Sequence, residues 1–94
     1  MNTANLQMEG LLLALGSLMR ALEKKGLLSQ DEIAEMLREA EARATRDDAH
    51  SGGLSAANLN AVMFPIRFLG RDLSGDKAES YADIATAVAR GKHD

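Results

Sequence analysis

Apolar residues recur every three or four positions along most of the chain, which is the spacing of one face of an α-helix. The longest such stretch covers residues 3–25 and ends at Gly26, behind two lysines, as helix C-termini commonly do. Its main apolar stripe is predicted to face the core and consists of Met8, Leu11, Leu12, Leu15, Leu18, Met19 and Leu22. Leu6 and Leu13 point the other way, so this first helix has a second, smaller apolar face.

A second helix, residues 30–45, is predicted from a capping box at its start. Ser29 and Glu32 are three positions apart, so each side chain can accept a hydrogen bond from the free backbone N–H of the other residue. The apolar stripe of this helix is Ile33, Met36, Leu37, Ala40 and Ala44. The polar residues 45–53 follow, end in two glycines and are predicted to form a loop.

The third predicted helix covers residues 56–70, and Pro65 interrupts its pattern. Because proline lacks an N–H and crowds the preceding turn, the helix must be kinked or broken at this residue. If it continues through the kink, Phe64 and Phe68 lie opposite its main apolar stripe, and if it restarts at Pro65 that angular argument fails. The main stripe consists of Leu59, Val62, Ile66, Leu69 and Leu73. A fourth helix is predicted over residues 77–90.

These segments predict a single all-α domain over residues 1–94, arranged as a four-helix bundle or an orthogonal array. The composition agrees, since 46% of residues are hydrophobic but only 3% are aromatic, which leaves an aliphatic, helix-forming core. The first and third helices carry more apolar surface than a four-helix monomer easily covers, so they must be central or meet a partner. Because two-fold dimers dominate soluble oligomers, we predict a homodimer, with a different protein as the main competing partner.

The predicted contact surface combines the second faces of the first and third helices. Four apolar residues form its centre and two arginines its rim: Leu6, Leu13, Phe64 and Phe68, with Arg67 and Arg71. The alternative is that the fourth helix or residues 45–53 cover the two leucines, in which case no partner is required. The leading hypothesis is therefore a non-enzymatic helical protein–protein interaction module whose predicted partner is a second copy of the chain or another protein.

The charge of the chain does not favour nucleic acid, because a formal net charge of −3 gives no general attraction for phosphates. The two arginines of the rim, one turn apart, are the best local basic pair. Residues 80–89 also resemble the first helix of a helix-turn-helix unit, although only five residues follow where a recognition helix is required. A small DNA-associated transcriptional regulator is thus one alternative function.

The cysteine content and the longest apolar run of the sequence predict the cellular location of the protein. The chain has no cysteine, and its most apolar run, residues 10–19, is half of the roughly twenty residues that span a membrane. We therefore predict a cytoplasmic protein without a membrane segment.

Candidate chemistry is sparse in this sequence. His50 with Asp47 and Asp48 could bind a divalent cation, but a solvated loop is the favoured interpretation of these residues. Nucleophile elbows, phosphate-binding loops and paired metal-binding histidines do not occur in the sequence. We predict no enzymatic activity, no cofactor and no metal site, with a metal- or ligand-binding helical bundle as a further alternative.

Three segments resemble a group of small uncharacterised bacterial all-helical proteins. They are Asn5-Leu6-Gln7, the break from Lys25 to Ser29, and Phe64-Pro65-Ile66-Arg67-Phe68-Leu69. That group has no assigned function, so the resemblance implies only that the first, second and third helices are parts of one unit.

Overall fold

The computed structural model describes residues 3–50, 52–53, 56–75 and 79–91, and four α-helices account for most of them. In chain order they are α1 (Thr3–Lys24), α2 (Gln30–His50), α3 (Ala56–Leu73) and α4 (Tyr81–Ala89). The helices pack against one another, so the predicted all-α bundle is confirmed. Residues 77 and 78, where the fourth helix was predicted to begin, lie outside the described residues, and α4 itself begins at Tyr81.

The helix α3 lies at the centre of the fold, because α1, α2 and α4 each pack against it. Its Phe68 is 0% exposed and forms the middle of the core. The ring of Phe68 lies 5.0 Å from that of Tyr81 and 6.1 Å from that of Phe64, measured between centroids. The other buried residues of this core are Leu12, Met19, Ile33, Leu69, Leu73 and Ile84.

Side-chain caps fix the starts of two helices. The backbone N–H of Ser29 donates to Glu32 Oε1 at 2.9 Å, and the N–H of Glu32 donates to Ser29 Oγ at 3.1 Å. This reciprocal pair is the predicted capping box, and it is confirmed. Ser80 caps α4 in a similar way, since its Oγ accepts the N–H of Asp83 at 3.1 Å.

The helix α2 is longer than predicted and continues to His50, so most of the predicted loop over residues 45–53 is helical. Local polar bonds fit this extension, since Thr45 Oγ1 donates to the carbonyl of Glu41 at 3.0 Å and Arg46 pairs with Glu39 at 3.2 Å. Among the described residues that follow α2, Gly52 and Gly53 have positive φ angles of 90° and 85°, and the N–H of Gly53 donates to the carbonyl of Asp48 at 2.9 Å. The glycines therefore end the helix, and the polar residues before them do not.

The helix α3 runs without a break from Ala56 to Leu73, through Pro65. Of the two predicted alternatives, a restart at the proline is therefore wrong. A proline inside a helix costs about 3 kcal/mol, and the packing of three helices against α3 offsets that cost. The helix α3 also continues to Leu73, three residues beyond its predicted end at residue 70.

Candidate interaction surface

The helix α1 buries only one edge of its apolar stripe. Leu12, Gly16 and Met19 are buried, whereas Leu11, Leu15 and Leu18 are 66%, 37% and 56% exposed. The prediction that the whole stripe faces the core is therefore wrong for these three leucines. At 100° per residue the stripe spans about 120° of the helix, and α3 is the helix that packs closely on α1, so it covers one side of it.

A close contact between α1 and α3 fixes which side of α1 is buried. A Cβ placed on Gly16 would lie 2.6 Å from Asp72 Oδ2, so the carboxylate occupies the space that a side chain would fill. One turn further along α1, Arg20 Nη2 donates to Asp72 Oδ1 at 3.2 Å and also to the main-chain carbonyl of Asp72. This contact turns the Gly16 side of α1 towards α3 and leaves the leucines facing outwards.

The exposed side of α1 carries a heptad seam. We define the leucine face as Leu11, Leu15, Leu18 and Leu22, which are spaced four, three and four residues apart. This is the a/d spacing by which two helices pack side by side in a coiled coil. The spacing is visible in the sequence, but there it merges with the buried stripe, so the sequence alone predicts that all these leucines face the core.

Within α1 the surroundings of the leucine face are uncharged, and Lys25, one residue beyond the helix, is the first charged residue that follows on this side. At 100° per residue, the four charged residues of α1 all lie on the half of the helix that faces away from Leu18, and they are Glu9, Arg20, Glu23 and Lys24. Ala14 and Ala21, both exposed, flank the leucines. The hydroxyl of Ser17 donates to the carbonyl of Leu13 at 2.8 Å and so already has a partner within the helix. Such a surface loses little by leaving water.

The four apolar residues predicted for the contact surface do not form one exposed patch. Leu6 and Leu13 are 49% and 45% exposed, in agreement with a second face on α1. Phe64 is half-buried against the core, and Phe68 is fully buried at its centre. Phe68 is therefore a core residue in this fold and is not available to a partner, because its side of α3 packs against Tyr81.

The two rim arginines are both engaged within the chain. Arg67 Nε lies 3.2 Å from Glu41 Oε1, which ties α3 to α2. Arg71 makes two hydrogen bonds to Glu79, of 2.9 Å and 3.2 Å. The hydrogen bond and then the charge of Glu79 raise the pKa of Arg71. Each arginine thus has a carboxylate partner, which reduces the attraction of this pair for a phosphate backbone.

A second surface feature is an open groove of about 450 Å³ between α2 and α3. Ile33, Leu37, Ile66 and Leu73 contribute apolar side chains to it. Polar residues at the groove are Gln30, Arg38, Glu41, Arg67 and Ser74. Its volume and mixed lining are within the range of small-molecule sites.

Neither a candidate metal site nor a candidate membrane span occurs among the described residues. In that part of the chain no three histidine, aspartate or glutamate side chains come together in a way that could hold a metal ion. The side chain of His50, considered above as a ligand with Asp47 and Asp48, lies outside what the structure describes. None of the described helices combines the length and the apolar character needed to cross a membrane.

Comparison of the chain with protein-family models, with curated proteins and with solved structures finds no match. The function must therefore be argued from the surfaces of the fold itself.

Proposed function

We propose that this protein is a helical protein–protein interaction module that forms a homodimer through the leucine face of α1. The observation that carries the proposal is an uncharged half-helix on which Leu11, Leu15 and Leu18 are exposed at heptad spacing. Soluble monomers rarely expose contiguous apolar surface of this kind without a use for it. The cytoplasmic location and the lack of enzymatic activity stay predictions from the sequence.

The exposed leucines set the strength expected of this dimer. Their exposed fractions amount to about one and a half leucine side chains per copy, so two copies would bury the equivalent of about three. At about 1.5–3 kcal/mol for each, the gain is about 5–9 kcal/mol. Association itself costs at least about 4 kcal/mol, which leaves about 5 kcal/mol at the upper end of this gain and a dissociation constant of about 0.2 mM. The module would therefore exchange between monomer and dimer.

Sedimentation equilibrium over a range of concentrations tests this proposal. The range should reach about 500 µM, because the affinity expected from the leucines is modest. We expect wild-type protein to dimerise and Leu18→Glu to stay monomeric, since two buried, unpaired carboxylates would oppose association. Leu18 is exposed in the monomer, so the substitution should leave the helical circular dichroism unchanged.

The matched control is Leu6→Glu, which places the same charge on the same helix at a similarly exposed leucine of the other face. We expect it to dimerise like the wild type. If Leu6→Glu abolishes the dimer and Leu18→Glu does not, the contact lies on the face predicted from the sequence. A wild-type protein that stays monomeric at the highest concentration would refute the proposal.

The groove between α2 and α3 favours a second candidate function, the binding of a small ligand with an apolar body. Its apolar side chains and its volume of about 450 Å³ support this alternative. The test is fluorescence titration with an anilinonaphthalene sulfonate probe, comparing wild type with Ala34→Leu, which partly fills the groove. Saturable binding that Ala34→Leu weakens would support a ligand site, and equal binding by both proteins would exclude the groove.

A further inference from the structure

We infer that the partner seated on the leucine face is a second copy of this chain in antiparallel orientation, with Leu15 of each copy against Leu18 of the other. This inference rests on the proposed function and deepens it. In an antiparallel heptad pair, each a position packs against a d position of the second helix. Leu15 and Leu22 take the a positions of the seam, and Leu11 and Leu18 take the d positions.

The spacing of the leucines is compatible with this two-fold symmetry, because every leucine of one copy then faces a leucine of the other. When Leu15 of one copy faces Leu18 of the other, Leu11 faces Leu22 at both ends of the seam. All four leucines of each copy are then paired in four layers, and none is left without an apolar neighbour. Ala14 of one copy faces Ala21 of the other beside these layers, and two such small side chains allow the helices to approach closely.

The position of Lys25 distinguishes the antiparallel pair from a parallel one. Its backbone N–H donates to the carbonyl of Ala21 at 3.0 Å, so the helical bonding pattern reaches Lys25 and the seam continues to it at the next d position. A parallel pair would place the two Lys25 ammonium groups in one layer, with like charges facing. In the antiparallel pair Lys25 faces Met8 instead, and the two lysines are separated by about 25 Å at 1.5 Å per residue.

Charge repulsion therefore favours the antiparallel pair. The separation of the lysines exceeds the screening length of about 8 Å at physiological salt, so their repulsion is largely lost. The antiparallel arrangement also places opposite ends of the two helix dipoles together.

Disulfide cross-linking can read the orientation directly, because the chain has no cysteine and each introduced one is unique. Leu15→Cys and Leu18→Cys are prepared separately, one of them with an affinity tag so that mixed and homogeneous products differ in mass. Each is oxidised alone and then as an equimolar mixture. A disulfide requires Cα atoms within about 7 Å, which the antiparallel pair provides between positions 15 and 18.

We expect the mixture to yield the mixed disulfide in several-fold excess over either homogeneous one. Leu6→Cys, on the opposite face, should give neither product under the same conditions. If each variant cross-links mainly to itself while the wild type is dimeric, the pair is parallel and the inference is overturned. If the wild type is dimeric but none of the seam cysteines cross-link, the leucine face is not the contact. A monomeric wild type would instead remove the proposed function on which this inference rests.

Discussion

Replacing Gly16 with alanine tests the contact that sets the rotation of α1. The new methyl group would lie 2.6 Å from Asp72 Oδ2, too close for two non-bonded atoms, so the carboxylate must move. Asp72 is buried and held by Arg20, and its displacement weakens a hydrogen bond between charged groups, worth about 1.5–3 kcal/mol. Alanine in place of glycine favours the helix by about 1 kcal/mol. We therefore expect a net destabilisation of about 0.5–2 kcal/mol.

Urea unfolding followed by circular dichroism measures this difference, at protein concentrations where the wild type is monomeric. Gly10→Ala is the matched control, because Gly10 lies on the same helix and an added Cβ meets nothing within 4 Å. That variant should be more stable than wild type by about 0.5–1 kcal/mol. In an Asp72→Ala background, Gly16→Ala should also become stabilising, because the obstructing carboxylate is gone. If Gly16→Ala stabilises the wild type as Gly10→Ala does, the proposed contact does not constrain α1.

Two further predictions concern Tyr81 and Ser29. Burial, and to a smaller extent the charge of Glu9, raises the pKa of Tyr81 above its ordinary value of 10.0. The protonated phenol is thus favoured in the folded state, so its stabilising contribution is complete below pH 10 and is lost as the pH rises through the raised pKa. In urea unfolding, Tyr81→Phe should therefore lose less stability at alkaline pH than the wild type. An unchanged alkaline loss would contradict the assignment to Tyr81. Ser29→Ala should lower stability by about 1 kcal/mol through loss of the capping box, whereas Ser17→Ala, in the middle of α1, should not, and equal effects in thermal unfolding would contradict a capping role.

The elements that the sequence predicts well are those determined by local physics. The capping box at Ser29 depends on two side chains three residues apart, and it forms as predicted. The predicted end of α2 lies five residues too early, because the polar residues after position 45 predict a loop. Arginine and alanine are good helix formers, and the helix continues to His50, shortly before Gly52 and Gly53.

The candidate contact surface was predicted less well, because exposure depends on which helices are neighbours. The position of Phe68 opposite the main stripe of α3 suggested an outer face, but α3 is central and that face meets Tyr81. The angular positions of residues around one helix show that it has two apolar faces. They do not show which of these faces another helix covers. For the same reason, the pattern of α1 alone does not separate Leu12 from Leu11, since both belong to one stripe and only the neighbouring helix decides which edge is buried.

The sequence predicts that α1 and α3 carry more apolar surface than a four-helix monomer covers, and the two helices differ in what happens to that surface. On α3 most of it is covered within the chain, since three helices pack against α3 and Phe68 is fully buried, while Val62 stays 45% exposed. On α1 the Gly16–Asp72 contact selects one edge of a wide stripe for the core, and Leu11, Leu15 and Leu18 remain in water. A rotation of α1 by a fraction of a turn would bury these leucines, but it would separate Gly16 from Asp72 and expose Leu12 and Met19 instead. The close approach of Gly16 to Asp72, together with the Arg20–Asp72 hydrogen bond, thus leaves a heptad seam of leucines facing outwards. This exposed seam is the physical basis for expecting α1 to bind a partner.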